Sequence, residues 1–211
     1  MPATHSPPHP LAASTASPAC YLNDLGWRDT VALYRIAADP DFFYAYLNEN
    51  RQPAWLGTLR FLGLTLRARL RRPRHWFKAI RRWPDGALLG CVVLLDIGVL
   101  APQVGEIAYF LAPHRRGKGV ATQAVISAAR WAQQQLGLRG LYASVDPDNP
   151  ASLTILTRLG LSPTRFVAAA DSSFTDRDGA PRPCWMMQTT PASFAAALTA
   201  LPESRYPVLA G

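Results

Sequence analysis

The stretch AYFLAPHRRGKGVATQAV, residues 108–125, places a basic turn with two glycines between an apolar strand and a helix. A helix N-terminus exposes backbone N–H groups that lack intrahelical partners, and the helix dipole is positive at that end. Glycine lets another group approach the backbone closely. The pattern therefore predicts a site for a phosphate group. The alternative is a plain glycine turn whose arginines face water.

Length and composition predict one folded core and exclude several classes of protein. The chain has 211 residues, of which 49% are hydrophobic. Its longest strongly apolar run, residues 87–95, is far shorter than the roughly 20 residues that cross a bilayer, so we expect no membrane span. Three separated cysteines argue against a disulfide framework or a zinc site, and they fit a reducing, cytoplasmic location. The four histidines lack metal-ligand spacing, so no metal is expected.

The net charge of +8 comes from one basic segment, residues 51–84. That segment contains ten Lys and Arg and no Asp or Glu, whereas the remaining chain has 12 basic and 14 acidic residues. A local positive field attracts anionic partners such as nucleic acid or an acidic substrate. A basic protein that docks on RNA or ribosomes is therefore one function to weigh. A solvated charged face without a partner is the other interpretation.

The order of predicted elements favours an α/β or α+β domain with three layers. Residues 1–20 are rich in Pro, Ala and Ser and predict a disordered tail, which leaves 21–211 as the folded domain. Helices come first, and strands and helices then alternate. The predicted helices are 29–39, 42–47, 56–70, 120–136, 150–159 and a short one from 191, and the predicted strands are 87–97, 105–111, 141–145, 164–174 and 184–190.

Leucines in the basic segment recur at three- and four-residue steps, which predicts a single apolar helix face. They are Leu56, Leu59, Leu62, Leu66 and Leu70. Aromatic residues alternate with the arginines of the same segment, and their spacing predicts core positions rather than base-stacking positions. These aromatic residues are Trp55, Phe61, Trp76, Phe77 and Trp83.

Two stretches carry a resemblance to a known family. The run Arg116-Gly117-Lys118-Gly119-Val120-Ala121 resembles the acyl-CoA pyrophosphate motif of the GNAT superfamily of N-acyltransferases. The stretch YASVDPDNPASLTILTRLGL, residues 142–161, resembles the strand and helix that follow in that family. Its VDPDNPAS form is similar to the branch that includes ribosomal-protein N-terminal alanine acetyltransferases. The resemblance covers about residues 88–174 and is absent from the tail.

The resemblance implies a twisted mixed sheet whose fourth and fifth strands splay apart, with flanking helices. Acetyl-CoA would lie in that gap, within a core of residues 105–161, and the basic segment would border the acceptor side. The backbone near Leu111 would serve the thioester, and Asn149 would bond the pantetheine arm or act as a helix cap. The residues implied for the pyrophosphate are Arg116, Gly117, Lys118, Gly119, Val120, Ala121 and Thr122.

Two proton transfers need candidate residues. An attacking amine must be neutral, and a free alkyl amine has a pKa near ~10, so a base or a water chain must help. Glu106 lies in an apolar strand where the family often has its base; Asp171 is the second candidate, and an exposed strand-end glutamate is the alternative. Many relatives protonate the thiolate with a tyrosine seven residues after the asparagine, but Leu156 stands there. The related branch uses a serine, which points to Ser152 as the acid or as a capping residue.

These observations favour an acetyl-CoA-dependent N-acetyltransferase, an acyltransferase whose acceptor amine attacks the thioester directly. The acceptor would be a protein N-terminus, a peptide or a small-molecule amine, and the protein would be a monomer or a homodimer. A non-catalytic acyl-CoA-binding protein and a basic protein that docks on RNA or ribosomes are the competing functions.

Overall fold

The computed structural model describes residues 20–39, 53–70, 75–172, 175–176, 178–202 and 206–208. The predicted tail falls outside these ranges except for its last residue, Cys20, which begins a strand and is buried. The predicted helix 42–47 also lies outside them.

Within these ranges the chain forms seven strands and five α-helices. The strands are β1 (Cys20–Asp24), β2 (Trp76–Arg82), β3 (Leu88–Leu95), β4 (Val104–Leu111), β5 (Gly140–Val145), β6 (Ser162–Val167) and β7 (Cys184–Gln188). The helices are α1 (Thr30–Ala37), α2 (Ala54–Leu70), α3 (Val120–Leu136), α4 (Pro150–Arg158) and α5 (Pro191–Ala200).

The strands form one mixed sheet in the order β1-β2-β3-β4-β5-β7-β6. Only β4 and β5 run parallel, because α3 connects them as a crossover helix. Their pairing covers just three residue pairs and ends where Glu106 lies opposite Tyr142. Beyond that pair the two strands separate, which confirms the predicted splay and the predicted α/β fold class.

Helices cover both faces of the sheet, and each face has its own core. On the face covered by α1 and α2, called here the α2 face, Phe61 packs edge-on against Phe77 at 5.3 Å and Phe110 at 6.0 Å between ring centroids. On the opposite face, called the α3 face, helices α3, α4 and α5 pack against side chains such as Ile107 and Leu141. The three-layer arrangement is thus α1/α2, sheet, and α3/α4/α5.

Helix α2 does not bury the leucine face that its sequence predicts. Leu59 and Leu66 are 54% and 58% exposed, whereas Thr58, Phe61 and Thr65 are buried. The buried threonines donate their hydroxyl protons within the helix, Thr58 to Ala54 O at 2.8 Å and Thr65 to Phe61 O at 2.9 Å. Because these polar groups are satisfied locally, they can face the sheet at little cost. The predicted apolar face is therefore wrong for Leu59 and Leu66, whereas Leu62 packs partly against the core and the side chain of Leu70 lies outside the described part of the helix.

The predicted bounds are confirmed for helix α3 but not for every strand. Helix α3 has the predicted bounds and ends at Gly137, whose φ is +65°. Strands β1 and β2 were not predicted, and the aromatic residues Trp76 and Phe77 are buried as part of β2 rather than of a helix. The predicted strand 164–174 is wrong at its end, because β6 stops at Val167 and a 3-10 turn, Ala169–Asp171, follows.

The C-terminal segment returns to the edge of the sheet at β1. The Leu22 N–H donates to Pro207 O at 2.9 Å, and Leu22 forms a parallel bridge with Val208. The Ser127 hydroxyl of α3 donates to Tyr206 O at 2.8 Å. The segment therefore covers part of an edge that would otherwise expose unpaired backbone groups. Among the described helices, none is long and apolar enough to span a lipid bilayer.

Candidate functional site

The site is organised around the gap between β4 and β5. Because β5 stops pairing at Glu106, the edge of β4 from Ile107 to Leu111 runs along this gap. Leu111 is the last residue of β4, is buried, and lies opposite Gly90 of β3. A Cβ on Gly90 would lie 2.0 Å from Phe110 O, so only glycine allows β3 to approach the end of β4 this closely.

The glycine turn leads directly from this gap to the start of α3. Gly117 and Gly119 both have φ of +73°, a left-handed conformation that favours glycine, and a Cβ on either would meet no atom within 4 Å. The first helix-type hydrogen bond of the turn runs from Gln123 N–H to Gly119 O at 3.1 Å. The N–H groups of Val120, Ala121 and Thr122 precede it at the helix start, where anionic groups bind.

The side chains of this turn leave the approach to the backbone open. Arg116, Lys118 and Gly119 are exposed, and Val120 is buried beneath them. An open backbone cradle beside two cationic side chains fits a pyrophosphate, because it offers both directed N–H donors and positive charge. The structure thus has a glycine turn at the start of a helix, as the sequence predicts, and the binding of a pyrophosphate by residues 116–122 stays a prediction.

On the other side of the gap, β5 leads into α4. Asn149 is the N-cap of this helix, and its Oδ1 accepts a hydrogen bond from Ser152 N–H at 3.1 Å. Pro150 occupies the first helical position, where its missing N–H costs nothing. The capping role of Asn149 is confirmed, and its role toward the pantetheine arm stays a prediction. Leu156 is 2% exposed and belongs to the core.

Glu106 lies on the α2 face at the end of the β4–β5 ladder, in one row with Leu95 and Tyr142. Burial, and after it the nearby Asp96 charge, raise the pKa of its carboxyl, while hydrogen bonds from the side chain and backbone of Ser144 lower it, and the resulting pKa is about 7. Since Ser144 belongs to β5, Glu106 reaches across the gap. A carboxyl of this kind exchanges protons near neutral pH.

A cavity of about 200 Å³ lies on the same face of the sheet, between α2, β2 and β3. Leu95, the cross-strand neighbour of Glu106, forms part of its wall together with Phe61 and Phe77. His75 and Asp96 are its polar members, and Asp96 N–H donates to His75 Nδ1 at 3.2 Å. The cavity combines aromatic walls with a carboxylate, a lining that suits an amine with a positive charge.

Tyr109 lies on β4 three residues after Glu106, so its side chain projects from the opposite face. Its hydroxyl crosses the gap and donates to Ser152 O at 3.5 Å. Burial raises the pKa of Tyr109 to about 12, and a hydrogen bond with the Ser152 side chain lowers it. Sequence reasoning missed this tyrosine and Asp96. The signal for Tyr109 was its place on β4: it lies two residues before Leu111, so the two side chains project from the same face of the strand.

The structure therefore brings some predicted residues together and separates others. Glu106, Leu111 and Ser152 all border the gap. Asp171, the second candidate base, lies exposed in the 3-10 turn after β6 rather than on a strand. Whether Glu106 and Ser152 transfer protons stays a prediction at this point.

Several cations of the basic segment are paired with carboxylates. Lys78 of β2 forms an ion pair with Asp24 of β1. Two further pairs join Arg81 to Asp29 at 2.9 Å and Arg82 to Asp85. The positive charge of β2 is thus partly balanced by acidic residues from outside the segment.

Comparison with known proteins shows the family to which the chain belongs. The profile of the Acetyltransferase (GNAT) domain matches residues 21–162, well over half of the chain. The chain belongs to the GNAT family. It is 34% identical over 92 residues to the probable N-acetyltransferase YjcK of Bacillus subtilis (strain 168). That match covers 44% of this chain and 51% of YjcK, so the chain spans about half the length of the curated relative.

Solved structures share the fold. The Mycobacterium smegmatis RimJ, in complex with CoA-disulfide, superposes with a TM-score of 0.69 at 22% identity, covering 90% of this chain and 88% of RimJ. The spermidine N-acetyltransferase from Vibrio cholerae, in complex with CoA and spermine, gives a TM-score of 0.68 at 16% identity, covering 84% and 98%. At these identities the likeness shows the fold alone.

Proposed function

We propose that this protein is an N-acetyltransferase that moves an acetyl group from acetyl-CoA to a primary amine by direct attack. The observation that carries the proposal is the gap between β4 and β5, with the buried carboxyl of Glu106 on one face and the open glycine turn leading away from it. Membership of the GNAT family and the CoA in the RimJ and spermidine N-acetyltransferase structures support it.

The donor would be held by the residues of the turn and the gap. Backbone N–H groups from Gly117 to Thr122 would bind the pyrophosphate, with Arg116 and Lys118 supplying positive charge. Asn149 would contact the pantetheine arm. The end of β4 near Leu111 would hold the thioester carbonyl, where a fixed backbone N–H stabilises the oxyanion that forms on attack.

Glu106 would be the base. An alkyl amine is mostly protonated at pH 7, since its pKa is near ~10, and attack requires its neutral form. The Glu106 carboxylate, directly or through water, takes a proton from the ammonium or from the nitrogen during attack. A pKa of about 7 leaves this carboxyl able both to accept the proton and to release it near neutral pH. The amine nitrogen then bonds to the acetyl carbon as the C–S bond breaks.

The acceptor would be a positively charged amine. Asp96 supplies a carboxyl to the cavity on the α2 face, and Phe61 and Phe77 supply aromatic walls, while Glu106 lies on the same face opposite Leu95 of the cavity wall. An N-terminus of a protein or a polyamine such as the spermine of the Vibrio cholerae complex has the required charge. The alternative of an RNA-docking protein is less favoured, because Lys78, Arg81 and Arg82 are engaged by carboxylates.

The test incubates the protein with acetyl-CoA and, separately, spermidine, a peptide with a free N-terminal alanine, and the same peptide already N-acetylated. Thiol release and the mass of the product are measured. We expect one of the two free amines to gain an acetyl group, and the blocked peptide to gain none.

The matched variant is Glu106→Gln, which keeps the shape of the side chain and removes the base. It should lower kcat by about 10²- to 10⁴-fold, the usual loss when acid–base help is removed. Tight binding of acetyl-CoA without thiol release in the presence of either amine would contradict the proposal and favour the non-catalytic acyl-CoA-binding alternative.

A further inference from the structure

Tyr109 reaches the gap from the face opposite Glu106. Glu106 and Tyr109 are three residues apart on β4, so the first projects to the α2 face and the second to the α3 face. Each side chain crosses to the far side of the gap, Glu106 to Ser144 of β5 and Tyr109 to Ser152 of α4. The gap is therefore flanked by a carboxyl on one face and a phenol on the other.

From this arrangement we propose that Tyr109 is the hydrogen-bond and proton donor to the sulfur that leaves when the acetyl group is transferred. The inference rests on the proposed function, because it assigns a role in that reaction. It replaces the family's tyrosine, whose position is occupied here by Leu156, with a tyrosine on a different element.

The hydrogen bond that Tyr109 donates to the Ser152 carbonyl is a long one. Its hydroxyl donates to Ser152 O at 3.5 Å, at the long limit of a hydrogen bond. A thiolate in the gap is a charged acceptor, and charged acceptors form stronger hydrogen bonds than a neutral carbonyl. The phenol can therefore turn from Ser152 to the sulfur without leaving the gap. Its raised pKa keeps it protonated, and thus able to donate, throughout the physiological range.

In this reaction Glu106 on one face takes up a proton and Tyr109 on the other face gives one up. The amine nitrogen bonds to the acetyl carbon, the electrons of the C–S bond go to sulfur, and the sulfur takes the Tyr109 proton. The amine proton goes to Glu106 on the other face. Water then returns a proton to the phenolate and removes one from Glu106, so the products are the amide and the free thiol.

Ser152 is the competing donor, but its polar groups already have partners. Its N–H donates to Asn149 Oδ1 at 3.1 Å, its carbonyl accepts from Tyr109, and its side chain hydrogen-bonds with the Tyr109 hydroxyl. These contacts make Ser152 a positioning residue, which holds the phenol at the gap until the substrate arrives.

The test uses free CoA, the thiol product, so that it does not depend on any acceptor amine. The ionisation of the bound thiol is followed by the ultraviolet absorbance of its thiolate in the wild type and in Tyr109→Phe, Ser152→Ala and Tyr21→Phe. Tyr21→Phe is the matched control, because Tyr21 lies on β1, three strands away from β4.

We expect Tyr109→Phe to raise the pKa of the bound thiol by about 1–2 units, the equivalent of one hydrogen bond to a charged group. Tyr21→Phe should leave it unchanged. In turnover with an accepted amine, Tyr109→Phe should lower kcat at least about 10²-fold with little change in KM for acetyl-CoA. Ser152→Ala should cost much less.

An unchanged thiol pKa in Tyr109→Phe would overturn the assignment, and so would a larger shift in Ser152→Ala than in Tyr109→Phe. The thiol titration decides this even if the wild type acetylates neither spermidine nor the alanine peptide. That result would count against the proposed function alone.

Discussion

Helices α2 and α3 are both 17 residues long and cover opposite faces of the same sheet, but they pack in different ways. Helix α3 buries a continuous face made mostly of small apolar residues: Val120, Ala124, Val125, Ile126, Ser127, Ala128, Ala129 and Ala132. Among its described side chains, helix α2 buries one large apolar side chain, Phe61, with Leu62 packed partly against the same core, and it leaves a cavity beside Phe61. The close packing of α3 fixes the turn at its start, where the acetyl-CoA shared by the family would bind. The looser packing of α2 leaves room on the α2 face, where the acceptor amine, which would differ among relatives, would bind.

The largest expected effect tests whether Phe61, rather than the leucines of the predicted face, anchors α2. Phe61→Ala should lower the free energy of unfolding by about 3–5 kcal/mol, since it empties an aromatic position in the core. Leu59→Ala, on the same helix but 54% exposed, should change it by less than about 0.5 kcal/mol. Urea unfolding of both variants measures the difference. Equal losses would mean that α2 packs through its leucine face after all.

The next effect tests the α3 side. Gly119→Glu brings a side chain and a negative charge to a residue with φ of +73° at the helix start, so affinity for acetyl-CoA should fall at least about 100-fold. Gly98→Glu is the control, because Gly98 has φ of +76° and open space but lies in the turn before β4. Calorimetry should show wild-type affinity for this control. Equal affinity in Gly119→Glu would remove the pyrophosphate from this turn.

The substitution Glu106→Gln should lower the activity of the protein but raise its stability. Its folded-state pKa of about 7 lies above its ordinary 4.5, so the folded protein disfavours the charged form. Stability is therefore lost as the pH rises from about 4.5 through 7. Glu106→Gln removes this penalty and should stabilise the fold by on the order of 1–3 kcal/mol at pH 8. The gain should vanish at pH 4, and an equal gain at both values would show that charge is not its cause.

The smallest effect concerns the hydrogen bonds that Ser144 gives to Glu106. Ser144→Ala removes the side-chain bond that lowers the Glu106 pKa, so the rise of kcat/KM with pH should move upward by about 1 unit. Ser162→Ala, at an exposed residue that begins β6, should leave the profile unchanged. If the pH profile of kcat/KM did not move in Ser144→Ala, a group other than Glu106 would control its rise with pH.

The same contrast between the two sides explains what the sequence could predict. The segment from β4 to the end of α3 is specified by neighbouring residues, since Gly117, Gly119 and Gly137 mark the positive φ values at both ends of the helix. The helix bounds and the backbone turn were therefore predictable. Asn149 and Pro150 mark the start of α4 in the same local way.

The α2 face depends instead on residues far apart in the chain. Strand β2 carries Lys78 into a buried position and Arg81 into a largely buried one, which is possible because Asp24 and Asp29, about 50 residues earlier, pair with them. The sequence of a charged segment such as β2 does not predict a buried strand unless the carboxylates that pair with its cations are known. The raised pKa of Glu106 likewise depends on its burial and on the Asp96 charge, and Ser144 opposes the rise; only the folded sheet brings these groups near it.

The C-terminal segment has a mechanical consequence for the gap. Strands β1–β4 and β5–β7, called here the first and second plates, are joined in the sheet by only three residue pairs, so any rotation of one plate against the other would be centred on those pairs. After α5 on the second plate, the described residues include Tyr206, whose carbonyl accepts from Ser127 of α3, and Pro207 and Val208, which pair with Leu22 on the first plate. Because this connection ties the plates together, it limits their rotation. A molecule entering the gap would then slide in along β4, and shortening the chain before Tyr206 would let the plates swing further apart.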